Sequence, residues 1–134
     1  KLNNEVVFDF QAIKIIEADV EDSESLLNMT KQTRMIVNTV GPYRFFGYQV
    51  VEACVQTKTH HLDISYENEF IERCALKHHK QAQADNILII SSCGLDAIPD
   101  DLGVEMLKDY SRSHGTIKTV KSFVRINMGP KVKF

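Results

Sequence analysis

The chain has 134 residues, 43% of them apolar and 25% charged, with a formal charge of -2. That length holds one modest domain with a real core. A charge this near zero gives no footing for nucleic acid or another polyanion, and the longest apolar runs are far too short to span a bilayer.

Residues 1–11 show no clear period; Val6, Val7 and Phe8 fit a helix or a turn. Residues 13–18 read as a short strand around Ile13, Ile15 and Ile16, closed by Asp19. Asp22 and Ser23 are N-cap candidates for a helix to about Lys31, with Leu26, Leu27 and Thr30 facing inward. Residues 35–40 form the next strand. Residues 47–57 form a helix with Val50, Val51, Cys54 and Val55 as its apolar stripe. A short strand at 61–64 precedes a long helix over 68–84, whose apolar residues Phe70, Ile71, Cys74 and Leu76 come early. Residues 87–92 are a continuous apolar strand. Pro99 suits the first turn of a helix to about Tyr110, broken by His114 and Gly115. Residues 120–127 then alternate, with Val120, Ser122, Val124 and Ile126 on one side.

Strands alternating with helices predict an α/β fold with a mostly parallel sheet covered on both faces, a doubly wound architecture. The continuous apolar strands agree, since such strands are buried on both sides. The alternating segment at 120–127 differs from them. It is expected at an edge or projecting away, with Val124 and Ile126 abnormally exposed and the isolated chain poorly soluble.

Cys54, Cys74 and Cys93 are odd in number, widely spaced and set in apolar surroundings. They read as buried reduced thiols of an intracellular compartment. His60, His61, His78 and His79 do not have metal-ligand spacing with them, because no C-x2-C pair occurs and neighbouring histidines point to different faces. No metal site is assigned. Nothing at the N-terminus resembles a signal peptide, and Lys1 and Phe134 read as cut ends of a longer protein.

The most informative stretch is 35–47. Met35, Ile36 and Val37 enter a strand, Asn38, Gly41 and Pro42 break it, and a helix follows. In open α/β sheets the loop after a strand's carboxyl end is where ligands sit. Gly41, without a Cβ, lets a ligand approach the backbone, and Pro42 fixes that approach. An ordinary βα turn explains the same residues equally well.

Three motifs carry a resemblance. They are Val37-Asn-Thr-Val-Gly-Pro-Tyr-Arg-Phe-Phe-Gly47, Leu62-Asp-Ile-Ser65 and Ser91-Ser-Cys-Gly-Leu-Asp-Ala-Ile-Pro-Asp-Asp-Leu-Gly103. In this order and spacing the chain resembles the saccharopine dehydrogenase-like oxidoreductases. The resemblance covers nearly the whole chain and about a third of a typical member. It implies a partial Rossmann domain binding NAD or NADP over residues 1–118, and the first strand of a following α+β domain over 119–134. The strands here would be the third to sixth, and those that belong between 13–18 and 35–40 are missing. Residues 13–18 are therefore expected not to pair with 35–40. The resemblance also implies association with lipid droplets or membranes, an undefined small-molecule substrate, and room for a homodimer built through the second domain. Two departures stand out. The family's Gly-rich turn, which holds the pyrophosphate at a helix N-terminus, does not occur in these 134 residues. Tyr66 stands where the family commonly has Gly, adding bulk beside the cleft.

By the resemblance, Asn38, Val40, Gly41, Pro42 and Tyr43 line the ribose and nicotinamide side of the cofactor. Asp63 and Ser65 end the next strand on the same rim, and Gly94 and Asp96 lie in the loop after the strand that follows. Asp19 would meet the adenine amino group, or is simply a strand-end turn residue. Arg44 would reach a phosphate or a substrate acid, or is a solvated cation. Asp100 and Asp101 suit the dipole of a helix N-terminus better than catalysis. No general acid or base is assigned. Two functions follow. One is part of an NAD(P)-dependent oxidoreductase, linked to lipid or glycolipid metabolism and inactive as this chain alone. The other is a truncated, non-enzymatic lipid-droplet relative that binds no cofactor. Without the Gly-rich turn, the chain is expected to bind the cofactor weakly or not at all.

Overall fold

A computed structural model describes residues 12–125. Asp22 caps the first helix, α1 (Ser23–Thr30), its carboxylate accepting the Glu24 N–H at 3.0 Å. Leu26 and Thr30 are buried and Leu27 half-buried, as the spacing predicts. The rest alternates: β1 (Met35–Asn38), α2 (Tyr43–Thr57), β2 (His60–Asp63), α3 (Asn68–Asp85), β3 (Ile89–Ile90) and α4 (Ile98–His114). The strands form a parallel sheet in the order β1-β2-β3, with Asn38 opposite Asp63 and His61 opposite Ile89. Parallel strands all leave the sheet at one edge, so the loops 39–42, 64–67 and 91–97 share a rim.

Helix α2 is the centre of the packing. One side meets α1 through Val50, Ala53, Cys54 and Leu26. The other meets α3 through Tyr43, Val51, Phe70 and Cys74. Gly47 sits where the two helices approach closely. A Cβ there would lie 2.7 Å and 2.9 Å from Phe70 ring atoms and 3.1 Å from Tyr43 Cβ. Phe70 is fully buried and cannot swing aside. Gly47→Ala is therefore expected to destabilise by about 1–3 kcal/mol, even though alanine is the better helix former. Urea unfolding followed by circular dichroism measures it; an unchanged midpoint would contradict the close approach.

Several expectations need correction. Residues 13–18 form no strand; Ile13, Ile15 and Ile16 are exposed and unpaired in the sheet. A strand needs a neighbour for its backbone groups, and among the described residues none lies beside this one. The expectation that it would not pair with β1 holds. Cover on both faces does not hold among the described residues. Ile36, Asn38, His61, Asp63 and Ile89 turn toward the helices, while Met35, Val37, Leu88 and Ile90 alternate onto an exposed face. The last apolar strand shortens to Ile89–Ile90, because Ser91 and Ser92 are drawn off toward Asp63. Leu76 faces solvent at 90% exposure. Cys93 is only half-buried, whereas Cys54 and Cys74 are buried thiols, pushed up by burial to about 12 and about 11.

Residues 120–125 carry no ladder either. Alternation makes a strand only where a partner strand exists, and here the segment runs beside α4 instead, with Ser122 Oγ donating to Asp100 Oδ1 at 2.7 Å. Phe123 and Val124 are both exposed. Ile126, Asn127, Val6, Val7 and Phe8 lie outside the described residues.

Candidate functional site

The rim is built by two side chains that end neighbouring strands. Asn38, last in β1, is buried. Its Oδ1 accepts the Val40 N–H at 3.0 Å and its carbonyl accepts the Tyr43 hydroxyl at 2.9 Å. Asparagine readily bonds the backbone two residues on, so it turns the chain sharply at the strand's end. The loop 39–42 is thus held from both sides. Its Gly41–Pro42 peptide is cis, and Pro42 is the N-cap of α2.

Helix α2 begins at Tyr43, four residues before the expected start at Gly47. The cause is remote in sequence. Glu67, just before α3, accepts the Tyr43 N–H at 2.8 Å with Oε1 and the Arg44 N–H at 3.0 Å with Oε2. A carboxylate across two free N–H groups suits the positive end of the helix dipole and replaces a local cap.

Asp63, last in β2, has no exposed surface. Oδ1 accepts the Ser65 N–H at 2.9 Å, the Ser65 hydroxyl at 2.6 Å and the Ser92 N–H at 3.0 Å. Oδ2 accepts the Ser91 hydroxyl at 2.9 Å. The Asp63 carbonyl takes the Cys93 N–H at 2.7 Å. Ser92 adopts φ +62°, a left-handed conformation that costs a side chain roughly 1–2 kcal/mol and lets successive N–H groups converge on Asp63. One carboxylate therefore ties loops 64–67 and 91–97 together.

His61 lies between these two hubs and is also fully buried. Its Nε2 faces Asn38 Nδ2 at 3.4 Å. Its Nδ1 is 3.8 Å from Asp63 Oδ2 and has no hydrogen-bond partner among the described residues. Burial holds the imidazole below the ordinary histidine value, and the Asp63 charge partly opposes that. Burial raises the Tyr43 phenol, with Asp63 and Glu67 adding to it.

The structure thus brings Asn38, Tyr43, Asp63 and Ser65 together, but with their side chains turned inward. They shape the rim. What faces outward is backbone and apolar surface: Val40, Gly41, Pro42 and Ile64 are exposed. The nearest atom to a Cβ at Gly41 would be in the Tyr43 ring, at 3.6 Å, an ordinary contact distance. Gly94 lies against Ile64, whose Cβ would be 3.2 Å from a Cβ at 94, a tight approach between the second and third loops. Asp96 is exposed in the turn before α4, and Tyr66 is exposed to solvent. Arg44 lies over the Phe45 ring at 4.8 Å. Asp19 does not join the network; its Oδ1 accepts the Glu21 N–H at 2.9 Å, and its backbone is bonded to Ser25. Asp100 and Asp101 lie in the first turn of α4. Glu67, His61, Ser91 and Ser92 carry the site without having been singled out for it, since their partners lie 23 or more residues away. Among the described residues no cluster of three or more His, Cys, Asp or Glu could hold a metal ion.

An uncharged, flat group fits such a surface of backbone and apolar side chains. Residues 4–90 match the family model described as the saccharopine dehydrogenase NADP binding domain. A Caenorhabditis elegans protein named lipid droplet localized protein is 42% identical over 91% of this chain and 28% of its own length. A mouse saccharopine dehydrogenase-like oxidoreductase is 41% identical over 89% of this chain and 27% of its own. The chain thus spans between a quarter and a third of these relatives. Among solved structures, apo saccharopine dehydrogenase (L-Glu forming) from Saccharomyces cerevisiae aligns with a TM-score of 0.56 at 22% identity, over 71% of this chain and 20% of that one. That likeness shows a shared Rossmann-type fold. The family match spans well over half of the chain, which therefore belongs to the saccharopine dehydrogenase family through its NADP-binding domain.

Proposed function

We propose that these residues form the nicotinamide and ribose side of the dinucleotide site in an NAD(P)-dependent oxidoreductase with a lipid-related substrate. The single observation that carries this reading is the rim itself. Three βα loops are locked at one sheet edge by Asn38 and Asp63, and they present Val40, Gly41, Pro42 and Ile64 outward. The backbone of 40–42 would hold the ribose edge and Ile64 the ring face, while Gly94 keeps the third loop close. A bound nicotinamide supplies the hydride. The chain's own part is to position that ring and to keep a buried, water-poor wall behind it.

Most of a dinucleotide's grip comes from its pyrophosphate, and this rim has no phosphate-binding turn. NADPH and NADH are therefore expected to bind the 134-residue chain no better than roughly millimolar, about 4 kcal/mol. A nucleotide-fluorescence titration tests this, and micromolar affinity would contradict it.

A second reading is favoured by the name of the C. elegans relative. In it the chain is a lipid-droplet-associated, non-enzymatic relative. No helix among the described residues is long and apolar enough to cross a membrane. Flotation of the purified chain with phospholipid-coated triolein droplets, in the absence of nucleotide, distinguishes the two.

A further inference from the structure

The buried imidazole of His61 is wired to both hubs of the rim, and the wiring has a direction. Asn38 Oδ1 is committed to the Val40 N–H at 3.0 Å, so the atom it turns toward His61 is the donor Nδ2. Nε2 of His61 must then be an acceptor, and the neutral ring carries its proton on Nδ1, the atom that faces Asp63 Oδ2 from 3.8 Å. A second proton can enter only at Nε2. Once there, it confronts the Asn38 NH2 group, donor against donor. The only local relief is for the Asn38 amide to turn over, offering Oδ1 to the imidazolium and Nδ2 to Val40. The Val40 N–H then loses its acceptor. At the same time the new positive charge draws Asp63 Oδ2, the oxygen that holds Ser91.

We propose that His61 is a proton switch for the rim: protonation of Nε2 turns the Asn38 amide and releases the loop 39–42. Any effect on nucleotide binding rests on the function proposed above; the switch itself does not. The groups around the ring support a single-proton event. Asp63 on β2 is the charge beside it, Asn38 on β1 is neutral, and Tyr43 of α2 and Cys74 of α3 are held neutral near Asp63 by burial. Glu67 acts on Tyr43 and is spent on the α2 N-terminus.

Burial lowers the imidazole below its ordinary value, so the unfolded chain takes up this proton first. The stability it contributes is complete above the unfolded value, near 6.5, and is lost as pH falls below it.

The experiment is a pH titration of the uniformly 15N-labelled 134-residue chain without nucleotide, following the histidine ring nitrogens and the backbone amides. At neutral pH the His61 ring should be the Nδ1–H tautomer. As it titrates, the Val40 amide should shift with the same midpoint, and its protection from exchange should fall roughly tenfold, the worth of one backbone hydrogen bond. In Asn38→Asp, a carboxylate can accept from both Val40 and the imidazolium. The His61 midpoint should then rise, and the Val40 amide should no longer follow it. If that variant does not fold, the shared midpoint in the native chain decides. An Nε2–H tautomer, a Val40 amide indifferent to the His61 step, or global unfolding with no separate His61 step would overturn the proposal.

Discussion

Asp63→Ala is expected to cost about 3–5 kcal/mol, enough to leave a domain of ordinary stability marginal or unfolded. The carboxylate has no exposed surface and serves two backbone N–H groups and two hydroxyls. Removing it leaves the Ser65 and Ser92 N–H groups without an acceptor, and each orphaned donor costs about 1–3 kcal/mol. Asp63→Asn separates this from lost charge. Its Oδ1 still accepts from Ser65 and Ser92, and its Nδ2 can donate to the Ser91 hydroxyl, so the loss should be smaller. Chemical unfolding of the three proteins measures both. An alanine variant within about 1 kcal/mol of the parent would mean that the loops are not tied through Asp63.

Phe70→Ala should be about as damaging, at about 3–5 kcal/mol, because a buried aromatic leaves a cavity its neighbours cannot close. Phe70 is fully buried, with its ring centroid 5.5 Å from that of Tyr43 and 5.0 Å from that of Tyr48. Leu76 lies on the same helix and is 90% exposed. Leu76→Ala should change stability by no more than about 0.5 kcal/mol. Equal effects at the two positions would contradict the way α3 faces α2.

These two residues show what was legible in the sequence. Both are large apolar residues in the first half of α3, and composition alone gives them the same weight. Only the helix's facing separates them. The parallel sheet was readable because its strands are short apolar runs divided by helices, and the Asp22 cap is a local signal. The one-sided cover was not readable, since strands exposed on one face and strands buried on both look alike when both faces are apolar. The early start of α2 was hidden because its cap, Glu67, lies 23 residues beyond Arg44. Asn38, Gly41, Pro42 and Asp63 were found as strand-end and turn residues. Their inward orientation was not, because whether such a side chain meets a ligand or a neighbouring loop is decided by Ser65, Ser91, Ser92 and His61. A histidine reads as an ordinary core residue until its ring is seen between two polar hubs.

The central claim is that the sheet's carboxyl edge receives the nicotinamide end of a dinucleotide. Amide chemical-shift mapping of the 15N-labelled chain during NADPH addition into the millimolar range tests it most directly. The account predicts shifts that saturate together at Val40, Gly41, Tyr43, Ser65 and Gly94, with little change in α1 or along α4. Shifts confined to α4 or to the residues between α1 and α2 around Leu26 and Gln49, with none in the three rim loops, would contradict it.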